Sequence, residues 1–280
     1  MSDIKVDIKL LKELRATTGV GFNDCRIALI EANNDLDKAL EILKVKGLSK
    51  ALSKVNNEAT EGVAKILIDK NRAVIIELNC QTDFVANNLE FNNVLNQISV
   101  TLLKSEAVST IDQALALAVS KTETIKDLIT SAITKLGENI VLKRFQVVDK
   151  KEDEIFGSYI HTGAVSAGLV VLEGTKDQEL AKNIAMQLVA MKPKFIDVSD
   201  IDETVRAKEL EIAQEQVKGM EKPQEIIEKM VQGKVNKSLA ELTITSQTYI
   251  KDPSLTIKQY LDKNNAKIKS MIRYEVGELV

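Results

Sequence analysis

The stretch Val63-Ala64-Lys65-Ile66-Leu67-Ile68, then Asp69-Lys70-Asn71-Arg72, then Ala73-Val74-Ile75-Ile76-Glu77-Leu78 decides how the chain is read. Two runs rich in Val and Ile flank a short polar break, which is the composition of a β-hairpin. On its N-terminal side the period is different. Ile8, Leu11 and Leu14 recur at helical spacing until Thr18-Gly19-Val20-Gly21 breaks the run. A second helix is expected from Asn23 or Asp24, with Ile27, Ala28 and Ile30 inward, and a stop at Asn33-Asn34. Asp35 can cap a third helix carrying Leu36, Ala39, Leu40 and Leu43, with Gly47 as its stop. Residues 47–60, including Lys50, Lys54, Asn56 and Asn57, read as a polar, partly helical linker. Three short helices have a thin core and suit a docking module better than a catalytic cavity.

On the C-terminal side, helices are expected near 88–103, 111–119 and 123–135, the last ended by Gly137, and a strand over Ile140 to Val148. The order then recurs. Ser158-Tyr159-Ile160-His161 and Leu169-Val170-Val171-Leu172 read as paired strands, Asp177 to Ala190 as a helix, and Ala266 to Val276 as a closing strand. Arg273-Tyr274-Glu275-Val276 echoes Arg144-Phe145-Gln146-Val147, which suggests two related α+β units with antiparallel sheets. Between Glu203 and about Glu241 lies a charged insertion broken at Gly219 and Pro223. Its apolar members are Leu210, Ile212, Val217, Ile226, Ile227, Met230 and Val231, and it reads as a helical hairpin with solvated charges or an interaction role for its tip or seam. The division is thus 1–54 for the helical module and linker, 55–148 for the first α+β subdomain, and 149–280 for the second with its insertion at about 203–241.

Composition narrows the function. The chain of 280 residues is 44% hydrophobic and 28% charged, with six Phe, four Tyr and no Trp. Its net charge of -3 argues against an electrostatic grip on nucleic acid, which needs clustered Lys and Arg. No apolar run approaches the ~18 residues that span a bilayer. The polar start Met1-Ser2-Asp3-Ile4-Lys5-Val6-Asp7 is no secretory signal, so a cytoplasmic location is expected. Cys25 and Cys80 have no metal-type spacing and read as buried thiols. There is no GxxxxGK[ST] or GxGxxG, hence no phosphate loop, and one histidine, His161. A Cys80–His161–Asp83 nucleophile site is a formal alternative without a second polar cluster to support it.

One segment stands apart: Glu77-Leu78-Asn79-Cys80-Gln81-Thr82-Asp83-Phe84-Val85-Ala86-Asn87. From physics alone, Thr82 or Asp83 caps a helix and Phe84 is a staple into the local core. All eleven positions match the signature of the elongation factor Ts family, which the chain resembles. Further resemblance lies in Leu14-Arg15, Thr18-Gly19, Gly21-Phe22, Asp24-Cys25 and Ala28-Leu29, with Arg26 where Lys is usual and Ile27 where a polar residue is usual. It continues through Gly157-Ser158-Tyr159, Lys192-Pro193, Phe195-Ile196, Lys222-Pro223-Gln224-Glu225-Ile226 and Ile272-Arg273-Tyr274-Glu275-Val276-Gly277-Glu278.

The resemblance implies a ubiquitin-associated-like (UBA-like) three-helix module, a core of two α+β subdomains and a helical hairpin inserted in the second. It implies a non-enzymatic task in translation, release of GDP from elongation factor Tu, met in its GDP-bound and nucleotide-free forms. It allows a homodimer within a 2:2 complex, and it calls for no cofactor, metal, membrane or nucleic acid. Residues matching Thr82, Asp83, Phe84 and Val85 would enter the partner near its Mg²⁺ site, with Arg26, Leu136, Gly137, His161 and Ile250 as further contacts. Two departures are visible. Thr162-Gly163-Ala164-Val165-Ser166-Ala167-Gly168 lacks the family's Gly-Arg-Ile-Gly run, and Leu279-Val280 ends the sequence where many relatives add a helical module.

Overall fold

The computed structural model describes residues 5–106 and 108–279, and of Lys50 the backbone alone. The readings made on Met1–Ile4, on the Lys50 side chain and on Val280 therefore lie outside the described residues. The chain divides into two compact units, residues 1–148 with 275–280, and residues 149–274.

In the first unit, α1 (Ile8–Thr18) is capped by Asp7, which accepts from the N–H groups of Lys9 and Leu10, and ends at left-handed Gly19. Next comes α2 (Phe22–Glu31), and the turn after it holds Asn33 and Asn34 at φ 52° and 62°. Asp35 then caps α3 (Leu36–Lys54) by accepting from Lys38 N–H at 3.1 Å. Leu11, Leu14, Val20, Cys25, Ala28, Leu29, Ala39 and Leu43 close the core of this three-helix module. Ile8, expected inside, is exposed, and Ile27 and Ile30 are half-buried. Gly47 does not stop α3; the helix continues for two more turns through residues expected to be linker. The cause is tertiary. A Cβ on Gly47 would meet Thr134 Oγ1 at 2.7 Å, so the glycine lets α3 pass close to α7 (Ile125–Leu136).

The hairpin is present as β1 (Glu61–Asp69) and β2 (Arg72–Cys80), in antiparallel register from Glu61↔Cys80 to Asp69↔Arg72. Only Lys70 and Asn71 lie between them, with Lys70 at φ 53°. From Ala73 to Cys80 every residue of β2 is buried, as befits the middle strand of the order β1-β2-β3, where β3 is Val141–Asp149. A four-residue helix α4 (Asp83–Ala86) follows β2, and Asn88 then caps α5 (Leu89–Lys104), which sends Phe91, Leu95, Ile98 and Leu102 into the core. A third segment, α6 (Ile111–Leu115), ends well short of the expected residue 119. Ala118 bridges Thr124 instead, and Ile125 N–H donates to Leu117 O at 2.9 Å. Capping by Thr124 and Asp127 starts α7.

The second unit pairs β4 (Ile155–Ile160) with β5 (Ser166–Glu173) in antiparallel register from Ile155↔Leu172 to Ile160↔Ala167. Next is α8 (Gln178–Met191), capped by Asp177. The insertion forms α9 (Glu203–Val217) and α10 (Gln224–Glu241), with Gly219 at φ 80° and Pro223 between them. Its seam draws only partly on the apolar members read from the sequence. Ala213, Val235 and Leu239 pack with Ile201, Phe195, Val205 and Val231, and Val217 is also buried, whereas Leu210, Ile212 and Ile226 are exposed. A small ladder of β6 (Thr248–Tyr249) and β7 (Asp252–Thr256), then α11 (Ile257–Lys263), had no counterpart in the sequence reading. β8 (Lys267–Glu275) completes the order β4-β5-β8. The two echoing segments, on β3 and β8, therefore hold the same place in their sheets, each beside the middle strand.

The last residues, expected with 149–280, belong to the first unit. Gly277 N–H donates to Glu77 Oε1 at 3.2 Å, and Arg144 Nη2 donates to the Glu275 carbonyl at 2.9 Å. Among the described residues no helix is long and apolar enough to cross a membrane.

Candidate functional site

The site is built from the end of β2. Glu77 is fully buried there, and its charge is met by Arg144 Nε at 2.6 Å and by Gly277 N–H. A carboxylate taken out of water needs such partners, so this pair fixes the strand beneath the site. Two residues on, buried Asn79 donates to Ala59 O at 3.1 Å. Cys80 Sγ lies 3.2 Å from Thr82 O and donates to it. Burial, and then the charge of Glu138, push the Cys80 thiol up to about 12. It stays protonated near neutral pH and is a poor nucleophile, which removes the basis of the Cys80–His161–Asp83 reading.

At Gln81 the chain leaves the sheet and meets the loop between α7 and β3. Glu138 Oε2 accepts from the N–H groups of Gln81 and Thr82, each at 3.1 Å, and Glu138 Oε1 accepts from Thr82 Oγ1 at 2.7 Å. Gln81 Oε1 in turn accepts from Asn139 N–H at 2.9 Å and from Asn57 Nδ2 at 3.3 Å. Asn139 Nδ2 donates back to Asn57 O at 2.8 Å. Thr82, rather than Asp83, is the cap of α4, and its hydroxyl oxygen accepts from Val85 N–H at 3.4 Å.

The four residues of the tip then divide by face. Val85 and Ala86 turn inward and are buried. Asp83 is exposed, and Phe84 is 84% exposed. The staple is therefore Val85, and Phe84 projects. One exposed apolar residue is ordinary on a protein surface. A projecting Phe on a base held by this many hydrogen bonds is not, because each of them opposes rearrangement that would bury the ring.

Of the other expected contacts, Gly137 is the left-handed end of α7 at φ 78° and directly precedes Glu138, so the clamp brings it to the base of the tip. Leu136 before it is half-buried. Arg26 lies on the three-helix module, exposed, with Nη2 3.4 Å from Asn23 Oδ1. In the second unit, His161 is exposed and its Nδ1 is 3.2 Å from the Tyr159 hydroxyl. Ile250 is 37% exposed, and its N–H donates to Oε1 of buried Gln187 at 3.0 Å. Glu138 and Asn139 escaped the sequence reading, and Asn57 was read only as linker. Their one local signal is the polar run Gly137-Glu138-Asn139 between a helix and a strand, and nothing in it names Thr82 as partner.

The model of the family described as Elongation factor TS matches residues 81–278, from the first residue of the clamped tip to the segment that returns to Glu77. Matched over well more than half of its length, the chain belongs to the elongation factor Ts family, the nucleotide exchange factors that act on elongation factor Tu in translation.

Proposed function

We propose that this chain releases GDP from elongation factor Tu by inserting Asp83 and Phe84 beside the partner's Mg²⁺ site. The observation that carries the reading is the projection of Phe84 from a base tied to two other segments. Mg²⁺ demands near-octahedral oxygen geometry, so a small displacement of the partner elements that hold it weakens nucleotide binding. The Phe84 ring is the rigid body that makes the displacement, and the Asp83 carboxylate competes for donors there. Thr82 and Val85 serve from below, one as cap and one as anchor.

Magnitude assigns the remainder. Burying one Phe is worth roughly 1.5–3 kcal/mol, about 10- to 150-fold in an equilibrium. The rest of the effect on GDP affinity comes from docking that favours the nucleotide-free shape, in which Arg26, Leu136, Gly137, His161 and Ile250 take part. By linkage, the factor that lowers GDP affinity lowers this chain's affinity for the GDP-bound partner equally.

Stopped-flow release of fluorescent GDP from elongation factor Tu tests the reading. Phe84→Ala should lower the maximum release rate by about 10- to 150-fold, with an unchanged melting curve. Unaltered release would remove the tip from the mechanism. Light scattering of the mixture reads the stoichiometry: the resemblance allows 2:2, and a 1:1 complex would leave the tip mechanism standing.

A further inference from the structure

We infer that Glu138 is the positioning residue of the tip, setting how fast exchange proceeds once the partner is docked; this rests on the proposed role of Phe84. A four-residue helix has no stability of its own, since even isolated helices of about 12 residues are marginal in water. Thus α4 stands where it does because its surroundings hold it. Its buried side supplies Val85 and Ala86, and its base supplies hydrogen bonds. The three bonds that Glu138 accepts at that base are charge-assisted, and they reach both N–H groups before the helix and the hydroxyl of its cap. Hydrogen bonds to an ionised carboxylate are roughly twice as strong as neutral ones.

The buried Cys80 thiol closes the same base from beneath, donating to Thr82 O at 3.2 Å. Glu138 is also well placed to act through Phe84 without competing with it. Its carboxylate is occupied by Gln81 and Thr82, and it stands 57 and 56 residues from them in sequence, so it transmits the position of the α7–β3 loop to the tip. Removing the carboxylate leaves the ring in place chemically but lets its base wander. Encounter with the partner then survives, while the fraction of docked complexes with the ring inserted falls.

The test is a set of four exchange factors, wild type, Phe84→Ala, Glu138→Ala and the double variant, titrated in the stopped-flow assay. Glu138→Ala should lower the maximum rate about tenfold with a half-saturating concentration within twofold of wild type. Glu138→Gln, which keeps the shape and one acceptor oxygen, should fall between. The double variant should be slower than Phe84→Ala by far less than tenfold, because a residue that acts through the tip keeps only Asp83 to act on once the ring is gone. Hydrogen exchange of the free protein supplies a second reading: a peptide over residues 79–88 should lose protection in Glu138→Ala, and peptides from α8 should not. If Phe84→Ala slows release while Glu138→Ala does not, the positioning role is overturned and the tip reading stands. Multiplicative losses in the double variant, or lost protection throughout the chain, would also overturn it. If Phe84→Ala itself has no effect, the tip reading is what fails.

Discussion

In the first unit the middle strand β2 runs out into α4 and the projecting Phe84, whereas in the second the middle strand β5 runs into Gly174 and on to α8. The sheets share an order, a hairpin plus a third strand beside its second member. The exits from the two middle strands differ in kind. Side chains hold the first exit open: Glu138, Gln81 and Asn139 form a polar base from which one ring protrudes. Backbone closes the second. Gly174 has φ 81°, and a Cβ there would lie 2.1 Å from the Asn265 carbonyl oxygen. The same framework therefore carries a projecting tip, the proposed working surface, at one strand end and a plain structural turn at the other, a difference of the kind expected when function is grafted onto loops of a repeated scaffold.

Gly174→Ala is the sharpest way to break this comparison. It adds a left-handed strain and an overlap with backbone, together costing about 2–4 kcal/mol. Urea unfolding of the second unit should shift by that amount, while the maximum exchange rate of the folded protein is unchanged. A shift below about 1 kcal/mol would mean that the turn adapts readily and that the two exits differ less than their geometry indicates. The loss from Phe84→Ala is next in size and opposite in character, falling on exchange and sparing stability.

The Cys80 thiol sharpens the contrast, since both cysteines of the chain belong to the first unit and only this one lies under the tip. Its folded pKa of about 12 stands above the ordinary 9.0. The folded state thus keeps a proton that the unfolded chain gives up. The resulting stability is whole below pH 9 and is lost as pH rises from about 9 to about 12. Urea midpoints of wild type and Cys80→Ala, compared at rising pH, should show the wild-type advantage shrinking across that window. A gap that stays constant would place the thiol in a more open setting than the clamp provides.

How much of this was legible in the sequence depends on the range of each signal. The β1–β2 hairpin, the cap Asp35, and the stops at Gly19 and Gly137 are written in neighbouring residues, and all of them are found. Gly47 misled because its reason lies across space at Thr134, and glycine at a helix–helix crossing looks the same in sequence as glycine at a helix end. In the hairpin α9–α10 the reading named Val217 and Val231 but missed Ala213, Val235 and Leu239, because a weakly amphipathic, charge-rich helix does not declare its buried side; small Ala213 proved to belong to the seam and Leu210 did not. The tip was legible by its residues, and the direction of Phe84 was not, because a capped turn with Phe inward would have the same local pattern. The clamp joins Thr82 to a residue 56 positions away, beyond any local signal.

Smaller effects separate insertion from docking. His161→Ala and Ile250→Ala, both in the second unit, should raise the half-saturating concentration in the exchange assay by roughly two- to fivefold, the scale of most single interface truncations, and leave the maximum rate alone. That pattern is the reverse of the one expected for Phe84 and Glu138. A fall in the maximum rate for either second-unit variant would show that insertion is not confined to the first unit's strand end.

The smallest effect is expected where charges are densest. On the hairpin, Lys218 lies 3.0 Å from Glu215 and Lys237 lies 3.9 Å from Glu241, all four side chains well exposed. Exposed pairs three or four residues apart are screened by water and contribute a few tenths of a kcal/mol at most. Lys218→Ala should therefore move the urea midpoint by less than about 0.5 kcal/mol. Ala213, Val217, Val235 and Leu239 hold the two helices together instead. In the first unit the carboxylate of Glu138 is committed to three donors at the base of a short helix, where water cannot take its place. In the hairpin many carboxylates and lysines count for little because water serves each of them as well as its neighbour does.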